Sequence, residues 1–292
     1  MNKTQAWVLL GILVAVGPGA IVEAQEIVAV LSAAPGPYEA AYDSFQKSFG
    51  SAVPAFRLPK ERIELGPKTR VVVAFGGEAA VQAYPKNVTV IACLAPGLSE
   101  SSPHAGPFVF VAMKPPAPVL LMQMKRLQPR LKRLTVLWNA AYTGSYLNDL
   151  RSAAAAQGIE IDAVRIADPG GVPDALRGLA PKPDALWLAP DPELINPVSF
   201  QTIKQFSWDN GIPFYAPTAG LTAAGAAAAV SITPQEIGRE DADLSRQALT
   251  GKALPDFAVS NTAELTVNPE SAAKAGLKLT PEALGPDVRV IH

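Results

Sequence analysis

The sequence is poor in the groups that carry metal, redox and phosphate chemistry. Its 292 residues include one cysteine, Cys93, and two histidines, His104 and His292. A lone cysteine excludes a disulfide framework and any paired-cysteine zinc or iron–sulfur site. His104 lies in a Ser/Pro/Gly loop and His292 is the last residue, so neither a catalytic pair nor a metal centre is expected, and no cofactor. Charge is also scarce. Charged residues make up 17% of the chain, and 25 basic against 26 acidic side chains leave a net −1. That balance excludes binding nucleic acid by phosphate neutralisation. No GxGxxG or GxxxxGK[ST] sequence follows an apolar run, so a dinucleotide or P-loop site is not expected. The nucleophile elbow GxSxG is missing as well, and nothing pairs a nucleophile with a histidine, so the chain does not read as an enzyme.

What is abundant is apolar surface, at 49% of residues, together with 28 prolines and 22 glycines. Such a chain buries a sizeable core rather than staying disordered. Its length suits two domains of roughly 100–150 residues each. The prolines and glycines predict short elements with frequent breaks.

The first segment reads as an export signal. Lys3 precedes an apolar stretch at 7–16, a Gly17-Pro18-Gly19 break, and Val22-Glu23-Ala24 with a small residue at the cleavage point. The apolar run falls well short of the roughly 20 residues a membrane span needs. Residues 1–24 are therefore expected to be a signal peptide cleaved after Ala24, leaving a mature protein in the periplasm.

Beyond it, short apolar runs alternate with helical patterns. Strands are expected at 26–31, 70–75, 88–94, 108–112, 134–138, 159–166, 185–189, 212–215 and 226–232. Helices are expected at 38–49 and 78–83, from the end of the proline-rich 114–118 to about 128, and at 145–157, 172–179 and 193–210. Another helix begins at Thr233-Pro234-Gln235-Glu236, where Thr caps, Pro takes the first position and Glu the third. Repeated strand–helix alternation with apolar strands predicts parallel sheets covered on both faces. A proline-rich break at 114–118 divides the material into two doubly wound α/β lobes.

Several segments, in order, resemble the ABC-transporter substrate-binding proteins of the tryptophan/tyrosine-type group, which have the type I periplasmic-binding-protein fold. They are VVVAFGGEAA at 71–80, LQPRLKRLTVLWN at 127–139, DALWLAPDPEL at 184–194 and GIPFYAPTAGLTAAGAAAAV at 211–230. The tail segments EIGREDADLSRQALTGKALPD at 236–256 and NPESAAKAGLKLTPEAL at 268–284 extend the likeness. The resemblance implies two lobes joined by a hinge: 25–112 plus 234–256, and 113–233 plus 257–292. It implies capture of a small ligand, an amino acid or related organic solute, in the interlobe cleft, delivery to an inner-membrane ABC permease, and a monomeric state. A ligand-sensing or accessory module for a signalling partner is the alternative.

Open α/β sheets hold ligands at the carboxyl ends of their strands. In the first lobe this singles out Ser32 as a hydroxyl donor, Tyr38 for stacking, Gly77 for close backbone approach, and Glu78. Gly76-Gly77 is equally explained as turn chemistry, and Glu78 as a favourable charge at a helix start. In the second lobe it singles out Asn139, Tyr142, Asp191 and Thr218. Asp191 suits an ammonium group, yet Asp191-Pro192-Glu193 is also a helix entry, with Asp as cap and Pro at the first position. Asn139 likewise either clamps a polar group or caps a turn.

Overall fold

The structure, a computed structural model, describes residues 25–33, 36–95, 98 and 104–291, the side chains of 140–143 excepted. The expected signal peptide lies outside the described residues.

The chain opens with β1 (Ile27–Leu31), α1 (Pro37–Phe49), β2 (Ala55–Arg57), β3 (Val71–Phe75), α2 (Gly77–Ala80), β4 (Thr89–Cys93) and β5 (Phe108–Val111). Every residue of β1 and β3 is buried, as befits strands covered on both faces. The chain then crosses into α3 (Ala117–Leu127), β6 (Arg133–Trp138), α4 (Ala140–Ala156), β7 (Glu160–Arg165) and α5 (Val172–Arg177). It continues through β8 (Ala185–Leu188), α6 (Pro197–Asn210), β9 (Phe214–Ala216), α7 (Ala219–Ala223) and β10 (Ala228–Ser231). It returns with α8 (Pro234–Leu249) and β11 (Phe257–Ala258), and leaves again for β12 (Glu264–Val267), α9 (Pro269–Lys274) and β13 (Arg289–Val290).

Two sheets result, in the orders β11-β5-β4-β3-β1-β2 and β13-β12-β10-β9-β8-β6-β7. The first is parallel throughout. The second departs from the expected all-parallel pattern in one place, because β12 runs antiparallel to β10. Each sheet is covered on both faces. On the first, α1 and α8 share a cluster with Tyr42, Phe45, Phe75, Ile237 and Leu244, while Val72, Ala79 and Phe108 pack on the opposite face. On the second, α3 and α4 build one cluster around Leu120, Leu150 and Trp187, and α5 and α6 another around Leu176 and Phe200.

The tetrad at 233–236 does what its residue types dictate. Thr233 Oγ1 accepts a hydrogen bond from the Glu236 amide at 3.2 Å, and Pro234 opens α8. The start expected at 193 is corrected. Asp191-Pro192 closes only one turn, in which the Ile195 amide donates to the Asp191 carbonyl at 2.9 Å. The second cap–proline pair, Asn196-Pro197, starts α6, with Asn196 Oδ1 accepting from the Ser199 amide at 3.0 Å. Conversely, α4 begins five residues ahead of the expected 145, at Ala140.

The chain crosses between the sheets at 112–116, at 232–233 and at 259–263. Tyr146 on α4 ties the first crossing down, its hydroxyl donating to the Pro115 carbonyl at 2.8 Å. Among the described residues, no helix is long and apolar enough to cross a membrane.

Candidate functional site

The register of the first sheet sets the ends of β1, β3 and β4 side by side, with Leu31 beside Phe75 and Phe75 beside Cys93. The loops that leave them interlock. The Ser32 amide donates to the Phe75 carbonyl at 2.9 Å, and the Gly76 amide donates to the Cys93 carbonyl at 2.8 Å. Ser32 is buried, and its Oγ accepts from the Ala79 amide at 3.0 Å. Gly76 has φ +100°, and a Cβ there would stand 2.8 Å from the Tyr38 ring and overlap the Ser32 hydroxyl. Only glycine fits, for both conformation and space. Ser32, Tyr38 and Gly76 therefore form one contact. Glu78 closes the group, its Oε2 accepting from the Ala33 amide at 3.2 Å. At Gly77, by contrast, an added Cβ would meet nothing within 4 Å. The structure thus gathers Ser32, Tyr38, Gly77 and Glu78 at one end of one sheet.

At the carboxyl ends of β6, β8 and β9 the second set assembles around Asp191. This aspartate is wholly buried, and its carboxyl group is fully engaged by backbone. Oδ2 accepts from the Asn139 amide at 3.0 Å, and Oδ1 from the amides of Glu193 and Leu194 at 3.0 and 3.2 Å. Asn139 then reaches outward, donating Nδ2 to the Ala167 carbonyl and to Glu193 Oε2, each at 3.1 Å. Asp191 fixes the exit of β6, and Asn139 and Glu193 carry polar atoms away from it. Thr218 is exposed on the loop after β9, where its Oγ1 accepts from the Leu221 amide at 3.4 Å and caps α7. Tyr142 lies on α4, but its side chain is outside the described residues.

From sequence, Gly76 reads as turn chemistry and Glu193 as part of a helix entry, and neither is chosen as a site residue. The signal was present: Gly76 precedes the chosen Gly77, and Glu193 sits two residues past Asp191, on the same turn.

A third polar group stands apart from both. Asp241 on α8 is wholly buried with neither carboxyl oxygen at hydrogen-bond geometry to a partner. Burial pushes its pKa up to about 8. The Cys93 thiol, a weak donor, pulls the other way without offsetting burial, and Glu240 adds to the rise. The thiol's own pKa is raised, chiefly by burial and then by Asp241. Among the described residues, no group of three side chains gathers that could hold a metal ion.

Comparison with known proteins fits this architecture. The model of the family of ABC transporter substrate binding proteins matches residues 120–287, more than half of the chain. No curated protein matches. Among solved structures, a ligand-free, open substrate-binding protein with adhesive properties from Clostridium difficile superposes with a TM-score of 0.65 at 16% identity. The match covers 91% of this chain and 99% of that one. An ABC domain from Streptococcus pneumonia in complex with L-Trp gives a TM-score of 0.62 at 16% identity, over the same shares of the two chains. A conserved domain protein from Vibrio cholerae gives 0.63 at 17% identity, again over 91% and 99%. At these identities the likeness speaks for the fold: two α/β lobes of the type I periplasmic-binding kind. The family model speaks for more, and the chain belongs to the ABC transporter substrate-binding protein family.

Proposed function

We propose that this substrate-binding protein is exported to the periplasm, captures a small organic solute between its two lobes, and presents it to an inner-membrane ABC permease. Binding a small ligand for transport is the work of the family, which is not a family of enzymes. The leader-like segment at 1–24 supports export. The first lobe is taken as the β1–β5 sheet with β11 and α8, the second as the β6–β10 sheet with the tail from β12 onward.

One observation carries the reading. Polar loops gather at the carboxyl ends of adjacent strands in both sheets, where open α/β sheets bind ligands. In the first lobe, Tyr38 offers a ring face, while Gly77 leaves room for a ligand beside the backbone. Glu78 and Ser32 hold the loop shape by hydrogen bonds to amides. In the second lobe, Asn139, Glu193 and Thr218 present polar atoms. Asp191, with three amides already bonded to it, acts at one remove by holding Asn139 in place. Closure of the lobes would be driven by whatever extra contact the ligand makes in the closed state.

Native mass spectrometry of the mature chain, followed by a thermal-shift screen of amino acids, peptides and organic acids, tests the proposal. A bound or stabilising solute is expected, and Asn139→Ala should weaken the shift. No shift with any solute would overturn capture, and genes for a sensor kinase in place of a permease and ATPase would favour the sensing alternative.

A further inference from the structure

Asp241 and Ser245 stand one turn apart on the side of α8 that carries Ile237 and Leu244 into the first lobe's core. Both are wholly buried. Among the described residues, neither the two carboxyl oxygens of Asp241 nor the Ser245 hydroxyl has a partner at normal hydrogen-bond geometry. Orphaned polar atoms gathered in one turn are rare in a native core. The packing has no slack to spare. Three residues earlier, α8 lies so close to α1 that a Cβ at Gly238 would overlap the Ala41 carbonyl.

No cation stands ready to meet a negative charge here. α8 packs on α1, β3, β4 and β5. β3 and β5 carry no titratable side chain, and β4 offers the Cys93 thiol alone. On α1, Tyr42 is buried but spends its hydroxyl on the Val53 carbonyl, and Tyr38 stands against Gly76. Glu39 pairs with Arg57, and Asp43 and Lys47 are exposed. Along α8 itself, Arg239 and Arg246 are exposed and paired with Glu236 and Asp243, while Glu240 adds a like charge. Asp241 is therefore stable in this place only as the neutral acid, and burial puts its pKa at about 8.

The same cluster holds the exit of β4. Cys93, Leu94, Ile237 and Leu244 pack together. Leu94 is buried with φ +50°, a left-handed conformation that a leucine keeps only while its surroundings impose it. One residue before it, the Cys93 carbonyl accepts from the Gly76 amide at 2.8 Å, and Gly76 lies against Ser32 and Tyr38. A continuous set of contacts thus runs from the buried acid to the strand-end loops.

We propose that Asp241 is a proton switch for these loops. Neutral, it lets α8 seat on β4 and hold Leu94 in its left-handed form. Ionised, it draws water into the turn and frees the exit of β4. Loss of one proton to solvent is the whole chemical step. Control of solute capture by pH then rests on the function proposed above, in which these loops bind the solute.

The test needs no solute, because the proton is the probe. The mature chain, labelled with 15N and with 13C at the aspartate carboxyl groups, is followed by NMR between about pH 6 and 9. The Asp241 carboxyl carbon should titrate with a midpoint near 8. The amides of Gly76, Ala79 and Leu94 should move with the same midpoint. In Asp241→Asn, which is neutral at every pH, the three amides should lose that titration. Cys93→Ala should keep it, which separates the acid from the thiol, and circular dichroism confirms that both variants fold. The parent's own carboxyl carbon and amides decide the matter even if one variant does not. A carbon that never titrates in this range, amides that stay still while it does, or titration that persists in Asp241→Asn would overturn the switch. So would titration lost in Cys93→Ala. Loops that titrate in a chain that captures no solute leave the switch standing and sink capture, and a solute captured by loops indifferent to pH does the reverse.

Discussion

Two aspartates in this protein are equally buried and live in opposite circumstances. Asp191, in the second lobe, accepts three backbone hydrogen bonds at 3.0–3.2 Å. Asp241, in the first, meets no partner at normal hydrogen-bond geometry. Burial alone therefore says little about what an acid contributes. Where amides converge, a carboxyl group organises the loop that leaves a strand. Where none do, desolvation holds the proton on and the acid becomes a weak point in the core.

The largest effect should come from removing the satisfied member. Asp191→Ala leaves three amides without their acceptor, at about 1–3 kcal/mol for each buried donor that water does not reach. We expect a total loss of about 3–5 kcal/mol in urea unfolding. A loss below about 1 kcal/mol would mean that water replaces the carboxyl group, and the contrast between the two acids would collapse.

Asp241 should respond to pH instead. Its pKa lies at about 8 in the folded chain against an ordinary 3.8, so the folded state keeps a proton that the unfolded state releases. Stability is then greatest at the acid end of that window and declines as pH rises toward 8, by up to about 1.4 kcal/mol per unit. The charged and titratable groups acting on it are Glu240 on its own helix and Cys93 on β4. Asp241→Asn removes the decline, so it should be more favourable relative to the parent at pH 8 than at pH 5. Parallel pH profiles for the two proteins would show that another group titrates.

These contrasts bear on what a sequence reveals. The strands at 71–75 and 185–188 were legible because continuous apolar runs have no other use in a doubly wound sheet. The α8 start was legible because cap, proline and glutamate act within one turn. The two-residue strands Phe257–Ala258 and Arg289–Val290 were not. They are too short to show a period, and β11 finds its partner in β5, about half the chain away. At the site, the loops could be chosen from strand ends, but the contact of Gly76 with Ser32 and Tyr38 exists only once β1 and β3 are in register. Asp191 read equally as ligand group and as cap until its three amides were placed. Asp241 was marked only by spacing, since Ile237, Asp241 and Leu244 recur on one face of α8 and put an acid among core residues.

The same face makes a sharper comparison possible. Gly238 lies where α8 crosses α1, and a Cβ there would overlap the Ala41 carbonyl and stand 2.8 Å from the Phe45 amide. Backbone cannot yield as a side chain does, so Gly238→Ala should cost about 1–3 kcal/mol. Gly77→Ala meets nothing within 4 Å and should stay within about 0.5 kcal/mol of the parent. Differential scanning calorimetry of the pair separates packing at the helix crossing from mere loss of glycine.

The smallest effect concerns a carboxylate with water at hand. Glu160 accepts from Arg133 at 2.9 Å, with 65% of its side chain exposed. Orphaning it differs from orphaning the amides around Asp191, because solvent supplies the missing partner at once. Arg133→Gln should therefore cost only about 0.5 kcal/mol, less at about 0.5 M salt, where exposed charges are screened. A cost near that of Asp191→Ala, unmoved by salt, would show that the strand pair β6–β7 depends on this ion pair as the loop depends on its buried acid. The distinction between an acid bonded by amides and one bonded by water would then fail at the edge of the second sheet.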